Sequence, residues 1–166
     1  MAKIRVAING FGRIGRAFVK IAWDRPEIEI VAVNDLGSID NLAYLLRYDT
    51  VYRTWNHDVK VSGSDIVVDG KKIKFVSEKD TTKLPWKDLD IDVVVESTGL
   101  FTAYDKAKFH LDCGAKKVVI SAPSKGGDGS VAGETILLGV NEEKFGTCDI
   151  TSNASCTTNA ASPLIA

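Results

Sequence analysis

The sequence predicts an α/β fold built on a mostly parallel, doubly wound sheet, and three observations carry that expectation. Short β-branched runs alternate with stretches whose apolar residues recur at helical spacing. A glycine-rich turn joins the first run to the first helix. Small and hydroxylated residues follow later runs, at the carboxyl ends where an open α/β sheet leaves its ligand crevice. The chain has 166 residues, 45% hydrophobic and 26% charged, which is the length of one domain and enough to bury about two-thirds of its unfolded surface.

The elements follow in order. Residues 3–9 (KIRVAIN) form a compact strand closed by Gly10. Residues 13–24 place Ile14, Ala17, Phe18, Ile21 and Ala22 at helical spacing, and Pro26 ends that helix. Residues 27–34 (EIEIVAVN) make a second strand, so the first unit is βαβ with a right-handed crossover. A second helix over 40–48 sets Leu42, Leu45 and Leu46 on one side, and a polar loop follows over 49–58. Residues 59–61 and 66–76, broken by Asp69-Gly70, read as a small antiparallel hairpin insertion, because Asp-Gly supplies the positive φ angles of a tight turn. A buried-type strand over 92–96 (DVVVE), a helix over 104–113 and a strand over 117–121 (KVVIS) come next. Residues 125–130 form an exposed glycine-rich loop, 135–140 and 149–152 are later strands, and Cys156 opens another helix with Pro163 close behind. The uncapped apolar ending Leu164-Ile165-Ala166 reads as an interrupted element.

Charge and cysteine count exclude several classes. Lys and Arg total 21 against 22 Asp and Glu, a formal charge of -1, so no global field draws the chain to nucleic acid or to an anionic membrane. No apolar run approaches the roughly 18 residues of a membrane span and no signal peptide opens the chain, which makes the cytoplasm the expected location. Cys113, Cys148 and Cys156 are odd in number and lack metal-ligand spacing, so neither a disulfide framework nor a metal site is expected.

Gly10-Phe11-Gly12-Arg13-Ile14-Gly15 is GxGxxG between a strand and a helix, the context that makes the pattern informative. Its glycines permit a tight turn, approach of a pyrophosphate, and close packing of helix on strand, and the helix N-terminus offers free N–H groups. Twenty positions after Gly15 stands Asp35, at the end of the second strand, where a carboxylate accepts ribose hydroxyls and repels a 2′-phosphate. Together these predict a Rossmann dinucleotide-binding domain that takes NAD in preference to NADP; a merely structural turn with a solvated Asp is the alternative. Ser97-Thr98-Gly99 and Ser121-Ala122-Pro123 follow two later strands and are expected to line the cofactor, unless they serve only as turns. In Ser152-Asn153-Ala154-Ser155-Cys156-Thr157-Thr158-Asn159 a cysteine opens a helix after a strand, a setting that stabilises a thiolate nucleophile and gathers anion-binding groups. A buried, inert Cys156 is the competing reading, and Cys113 and Cys148 read as packing residues.

Seven ordered blocks then give the chain a close resemblance to the N-terminal, NAD-binding half of the phosphorylating glyceraldehyde-3-phosphate dehydrogenase family. They are INGFGRIGR (8–16), VAVND (31–35), LLRYDTV (45–51), VVVESTGLF (93–101), GAKKVVISAP (114–123), LGVN (138–141) and SNASCTTN (152–159). The resemblance implies an NAD-binding Rossmann domain over 1–154, with residues 155–166 beginning a catalytic domain whose remainder is absent. It implies that Cys156 attacks an aldehyde phosphate, that oxidation leaves a thioester, and that inorganic phosphate releases an acyl phosphate, as in glycolysis. By position, Phe11, Gly12, Arg13, Ile14, Asn34, Asp35, Lys79, Ser97, Thr98, Gly99, Phe101 and Ser121 resemble cofactor contacts, and Ser155 and Thr157 resemble the start of a phosphate site.

The resemblance also has departures. Lys79 stands where the family often has Arg, and residues 124–138 are longer and richer in glycine than the usual connection. The family's catalytic histidine belongs to the following half, and His57 and His110 do not match it. The chain is therefore expected to bind NAD with negligible turnover as part of a homotetrameric parent enzyme. The alternatives are a free-standing NAD- or partner-binding module and part of an erythrose-4-phosphate dehydrogenase.

Overall fold

The computed structural model describes residues 2–125 and 127–165; Met1, Gly126 of the glycine-rich loop and Ala166 of the apolar ending lie outside the described residues. In chain order the elements are β1 (Ile4–Asn9), α1 (Arg13–Ala22), β2 (Ile28–Asn34), α2 (Ile39–Arg47), β3 (Tyr48–Asp49), β4 (Arg53–Thr54), β5 (Val59–Ser62), β6 (Asp65–Val68) and β7 (Lys71–Val76). They continue with β8 (Val93–Glu96), α3 (Tyr104–Ala107), α4 (Phe109–Asp112), β9 (Lys117–Ile120), β10 (Gly133–Thr135), β11 (Ile150–Ser152) and α5 (Cys156–Ala161). Among the described residues one nine-stranded sheet runs β10-β11-β9-β8-β1-β2-β7-β6-β5. It is parallel from β10 to β7 and antiparallel beyond. The Rossmann expectation therefore holds, and no helix among the described residues is long and apolar enough to cross a membrane.

The sheet is covered on both faces, as its β-branched strands require. Val6 and Ile8 of β1 pack with Val19 and Ala22 of α1 and Leu42 and Leu46 of α2, while Ala7 between them joins Trp86, Ile91 and Val94 in a second layer. A third cluster holds Ala107, Val118, Ile120 and Ile150. The period-2 alternation slips once: Val6 pairs with Ile30 but Ala7 pairs with Ala32, a bulge at Val31. That extra residue brings Asn9 level with Asn34, while on its other side Asn9 is level with Glu96.

Four elements differ from the sequence expectation. The antiparallel insertion is present as a three-stranded meander whose last strand, β7, also pairs with β2 and so extends the main sheet. The loop over 49–58 contains the small β3–β4 pair, closed by Asp49, whose Oδ1 accepts the N–H groups of Val51 (2.8 Å) and Tyr52 (3.0 Å). The helix over 104–113 is divided at Lys108, where hydrogen bonds shorten to i→i−3. The strand expected over 135–140 instead occupies Gly133–Thr135, because Asn141 caps a turn. Its Oδ1 accepts from the N–H of Leu137 (2.8 Å), its Nδ2 donates to the carbonyl of Thr135 (2.9 Å), and Gly139 takes a φ of 76°.

Polar groups tie the carboxyl ends of the central strands. The Trp86 indole N–H donates to Nδ1 of His110 (2.9 Å), so that nitrogen is the acceptor and Nε2 carries the proton it gives to Glu96 Oε2 (2.9 Å). Asn9 Nδ2 donates to the same oxygen (2.7 Å), and Asn34 Nδ2 donates to Asn9 Oδ1 (2.8 Å). Burial pushes the His110 imidazolium below its ordinary value of 6.5, against the smaller opposing pull of Glu96. Protonating Nδ1 would also set two donors against each other, so geometry and desolvation agree on a neutral ring.

A pH dependence follows. The unfolded chain protonates this histidine near its ordinary value of 6.5, whereas the folded chain resists until lower pH. Its contribution to stability is complete above that value and falls as the pH drops toward the lowered folded value, by at most about 1.4 kcal/mol per pH unit. Urea unfolding between about pH 5 and 7.5, above the range where ordinary carboxylates titrate, should give an acid slope about one proton shallower in His110→Gln. Equal slopes would remove the assignment.

Candidate functional site

The crevice opens where β1 has β2 on one side and β8 on the other, so the chain leaves the sheet in opposite directions. Its volume of about 440 Å³ falls in the range of small-molecule sites. The floor is Asn9, Gly10 and Gly12 after β1; one wall is Asn34, Asp35 and Leu36 after β2, with Glu78 and Lys79; the other is Ser97, Thr98, Leu100 and Phe101 after β8. Thr81 and Leu84 complete the lining.

The glycine turn works by contact distances. Gly10 has a φ of 90°, and a Cβ there would lie 2.6 Å from the Thr98 nitrogen. A Cβ on Gly15 would lie 2.3 Å from the Gly10 carbonyl oxygen, so α1 sits directly on the turn. Gly12 is different: a Cβ there would meet nothing within 4 Å, which leaves open space over the helix N-terminus. No side chain caps α1, and its first turn contains no acidic residue, so the leading N–H groups face that space unsatisfied by side chains. Arg16 holds the turn by donating to the Phe11 carbonyl (2.8 Å). Burial, aided by Arg13, lowers the affinity of its guanidinium for the proton.

Asp35 stands half-buried across the turn. Its Oδ2 accepts from the Phe11 N–H (2.7 Å) and its Oδ1 from the Gly37 N–H (2.8 Å), which aims the carboxylate while leaving each oxygen further acceptor capacity. Asn34 binds the loop after β7 in both directions, accepting from the Glu78 N–H (2.9 Å) and donating to the Glu78 carbonyl (3.1 Å). Lys79 follows directly and lines the opening.

Of the residues singled out by sequence, the crevice thus brings together Gly12, Asn34, Asp35, Lys79, Ser97, Thr98 and Phe101. Phe11 enters only through its backbone, for its ring is wholly buried in the core. Arg13 and Ile14 are exposed on the first turn of α1. Gly99 takes a φ of 74° in the turn after Thr98. Ser121, one strand over, donates to the Glu96 carbonyl (2.9 Å) and shares a hydrogen bond with Ser97 Oγ (3.1 Å). Asn9, Leu36, Glu78, Thr81, Leu84 and Leu100 join the lining and Glu96 lies beneath it without being singled out by any sequence motif. Asn9 and Glu96 carried a signal, each being the polar residue that ends an apolar strand.

Cys156 is exposed as the first residue of α5. Ser155 is the N-cap: its Oγ accepts from the Thr158 N–H (3.0 Å) and shares hydrogen bonds with the hydroxyls of Thr157 (2.9 Å) and Thr158 (2.6 Å). Asn159 Nδ2 donates back to the carbonyls of Asn153 (2.6 Å) and Ser155 (2.9 Å). Ala154 takes a φ of 61°, a left-handed conformation uncommon outside glycine, which bends the chain sharply before the cysteine. Cys156 is thus exposed, not buried, in this arrangement. The other thiols differ: Cys113 Sγ donates to the Thr81 carbonyl (3.1 Å) and Cys148 Sγ to the Ile150 carbonyl (3.1 Å), both half-buried, and burial pushes the Cys113 thiol up. Neither histidine stands free. His110 is fully buried with both nitrogens engaged, and His57 Nδ1 is paired with Asp69 (2.6 Å) beside the β6–β7 turn, at the far side of the sheet from β11. No cluster of metal ligands occurs among the described residues.

Comparison with known proteins bears on the same residues. A family model described as glyceraldehyde 3-phosphate dehydrogenase, NAD binding domain, matches residues 4–104. The chain is 49% identical over 162 residues to glyceraldehyde-3-phosphate dehydrogenase 1 of Kluyveromyces lactis, covering 97% of this chain and 47% of the relative. It is 51% identical over 164 residues to glyceraldehyde-3-phosphate dehydrogenase of Chlamydia muridarum, covering 97% and 48%. To the chloroplastic glyceraldehyde-3-phosphate dehydrogenase B of Pisum sativum it is 48% identical over 168 residues, covering 98% and 36%. The chain spans about half the length of most of the curated relatives it matches. With its glycine turn, its strand-end crevice and this similarity along nearly all its length, the chain belongs to the glyceraldehyde-3-phosphate dehydrogenase family and contains that family's NAD-binding domain.

Proposed function

We propose that the crevice holds NAD with its pyrophosphate on the N-terminus of α1 and its adenosine ribose at Asp35, and that Cys156 is the nucleophile of a phosphorylating aldehyde oxidation. The observation that carries the first part is the open space over Gly12, onto which the uncapped first turn of α1 directs its N–H groups. Arg13 and Ile14 supply those backbone donors. Asn34, Lys79 and Phe101 flank the adenosine side and the opening, and Ser97, Thr98, Gly99 and Ser121 form the wall along β8 and β9. Residues 1–154 make up this unit, and 155–166 begin the catalytic part.

For the second part, Cys156 adds as a thiolate to the carbonyl carbon of an aldehyde phosphate. Bound NAD supplies the hydride acceptor for the oxidation. The acyl group stays on Cys156 as a thioester, inorganic phosphate attacks its carbonyl carbon, and the C–S bond breaks to give an acyl phosphate and the free thiolate. Thr157, with its hydroxyl beside that of Ser155, begins the anion site. A base near the sulfur is needed, and the two histidines are held elsewhere by Trp86, Glu96 and Asp69. These 166 residues alone are therefore expected to bind NAD with turnover several powers of ten below a complete site. The parent enzyme is read as cytoplasmic, glycolytic and homotetrameric. Exposed Tyr44, Val51 and Tyr52 around the β3–β4 pair support self-association.

Calorimetric titration with NAD and NADP tests the ribose assignment. Asp35→Ala should weaken NAD binding by roughly 10- to 100-fold and narrow the preference over NADP, the cost of a hydrogen-bonded charge. Unchanged affinity and selectivity would refute it. Alkylation mapped by mass spectrometry tests the nucleophile: Cys156 should be modified at least about tenfold faster than Cys113 or Cys148, and Cys156→Ser should abolish the fast phase. A fast phase that survives the substitution would shift the chemistry to another thiol.

A further inference from the structure

We propose that Glu96 is a positioning residue for the nucleotide, one buried carboxylate that sets both walls of the crevice at once. The inference rests on the reading that this crevice binds NAD. Glu96 itself does not line it and is 2% exposed, so it acts only through its partners. Every polar neighbour donates to it. On Oε1 it accepts the Thr98 N–H (2.8 Å) and the Thr98 hydroxyl; on Oε2 it accepts Asn9 Nδ2 (2.7 Å) and His110 Nε2 (2.9 Å).

Toward one wall the effect is direct. Both Thr98 donors are drawn onto the carboxylate, and the Leu100 N–H in turn donates to the Thr98 hydroxyl oxygen (3.1 Å), which shapes the turn from Ser97 to Leu100. Toward the other wall it passes through two amides. A carboxylate only accepts, so Asn9 must present its Nδ2, which leaves its Oδ1 toward Asn34. Asn34 then presents its Nδ2 to Asn9 and its Oδ1 to the Glu78 N–H, fixing the segment that leads to Lys79. Trp86 completes the arrangement from below, because its indole N–H selects the His110 tautomer that donates to Glu96. An amide at position 96 has one accepting atom where two are needed. It satisfies either the Thr98 pair or the Asn9 and His110 pair, and one wall loses its anchor.

The test compares Glu96→Gln and Glu96→Asp with the wild-type chain and with Ile66→Ala, a core substitution in β6 near the sheet's far edge. NAD affinity is measured by calorimetry well below each melting temperature, and melting is recorded in parallel. Wild type is expected to bind NAD; folded Glu96→Gln should bind about tenfold or more weakly. Ile66→Ala should melt lower yet keep affinity within about twofold, separating lost positioning from lost stability. If the Gln variant does not fold, Glu96→Asp, which keeps the charge but shortens its reach, should fold and bind at least about threefold more weakly. Wild-type affinity in either folded variant overturns the inference, as does an equal loss in Ile66→Ala or failure of both Glu96 variants to fold. A wild-type chain that does not bind NAD removes the underlying reading instead, a result distinguishable from a loss confined to Glu96.

Discussion

A charge buried under a parallel sheet is stable only if its hydrogen-bonding sites are taken up, and the site in this chain is arranged around that requirement. Glu96 lies almost wholly out of solvent at the carboxyl end of β8, and four donors from three segments converge on it. The pairing of β1 with β8 brings Asn9 level with Glu96, and the bulge at Val31 brings Asn34 level with Asn9. The same row of ends is where the crevice opens. Packing decides that the strands lie side by side; the carboxylate decides how their polar termini face.

Around this row the glycines divide the labour. Gly10 and Gly15 let backbone approach backbone at distances no side chain tolerates, so turn, helix and the β8 loop form one rigid corner. Gly12 has no such neighbour, and its missing side chain leaves room for a ligand rather than for the protein. An uncapped helix in that position would be a defect in a structural protein, since its leading N–H groups lack side-chain partners. In the binding mode proposed above it is the receiving surface for the NAD pyrophosphate. The turn before Cys156 is held by similar economy: Ser155 caps α5, Ala154 bends the chain, and the thiol is left exposed.

Much of this was legible from residues alone, for definable reasons. The βαβ unit, the glycine turn and the placement of Asp35 are local: each is set by residues within about two dozen positions, where periodicity and turn chemistry speak directly. The β5–β7 meander was legible as a turn at Asp69-Gly70 but not as part of the main sheet, because β7 joins β2 through pairing no local pattern records. The strand expected after residue 135 failed because Asn141, through its side chain, outbid a run of apolar residues for the backbone groups of Thr135 and Leu137. The Glu96 network was the least legible. Trp86, His110, Glu96, Asn9 and Asn34 are scattered over the sequence, and only the sheet register brings them together.

The function of this framework depends on where a dinucleotide lies against it, and a crystal structure of the chain grown with NAD addresses that most directly. The predicted result has the pyrophosphate oxygens within hydrogen-bond distance of the Arg13 and Ile14 backbone N–H groups, over Gly12, with the adenosine ribose hydroxyls on Asp35. Nucleotide density away from the N-terminus of α1, or a ribose that leaves Asp35 unengaged, would contradict it.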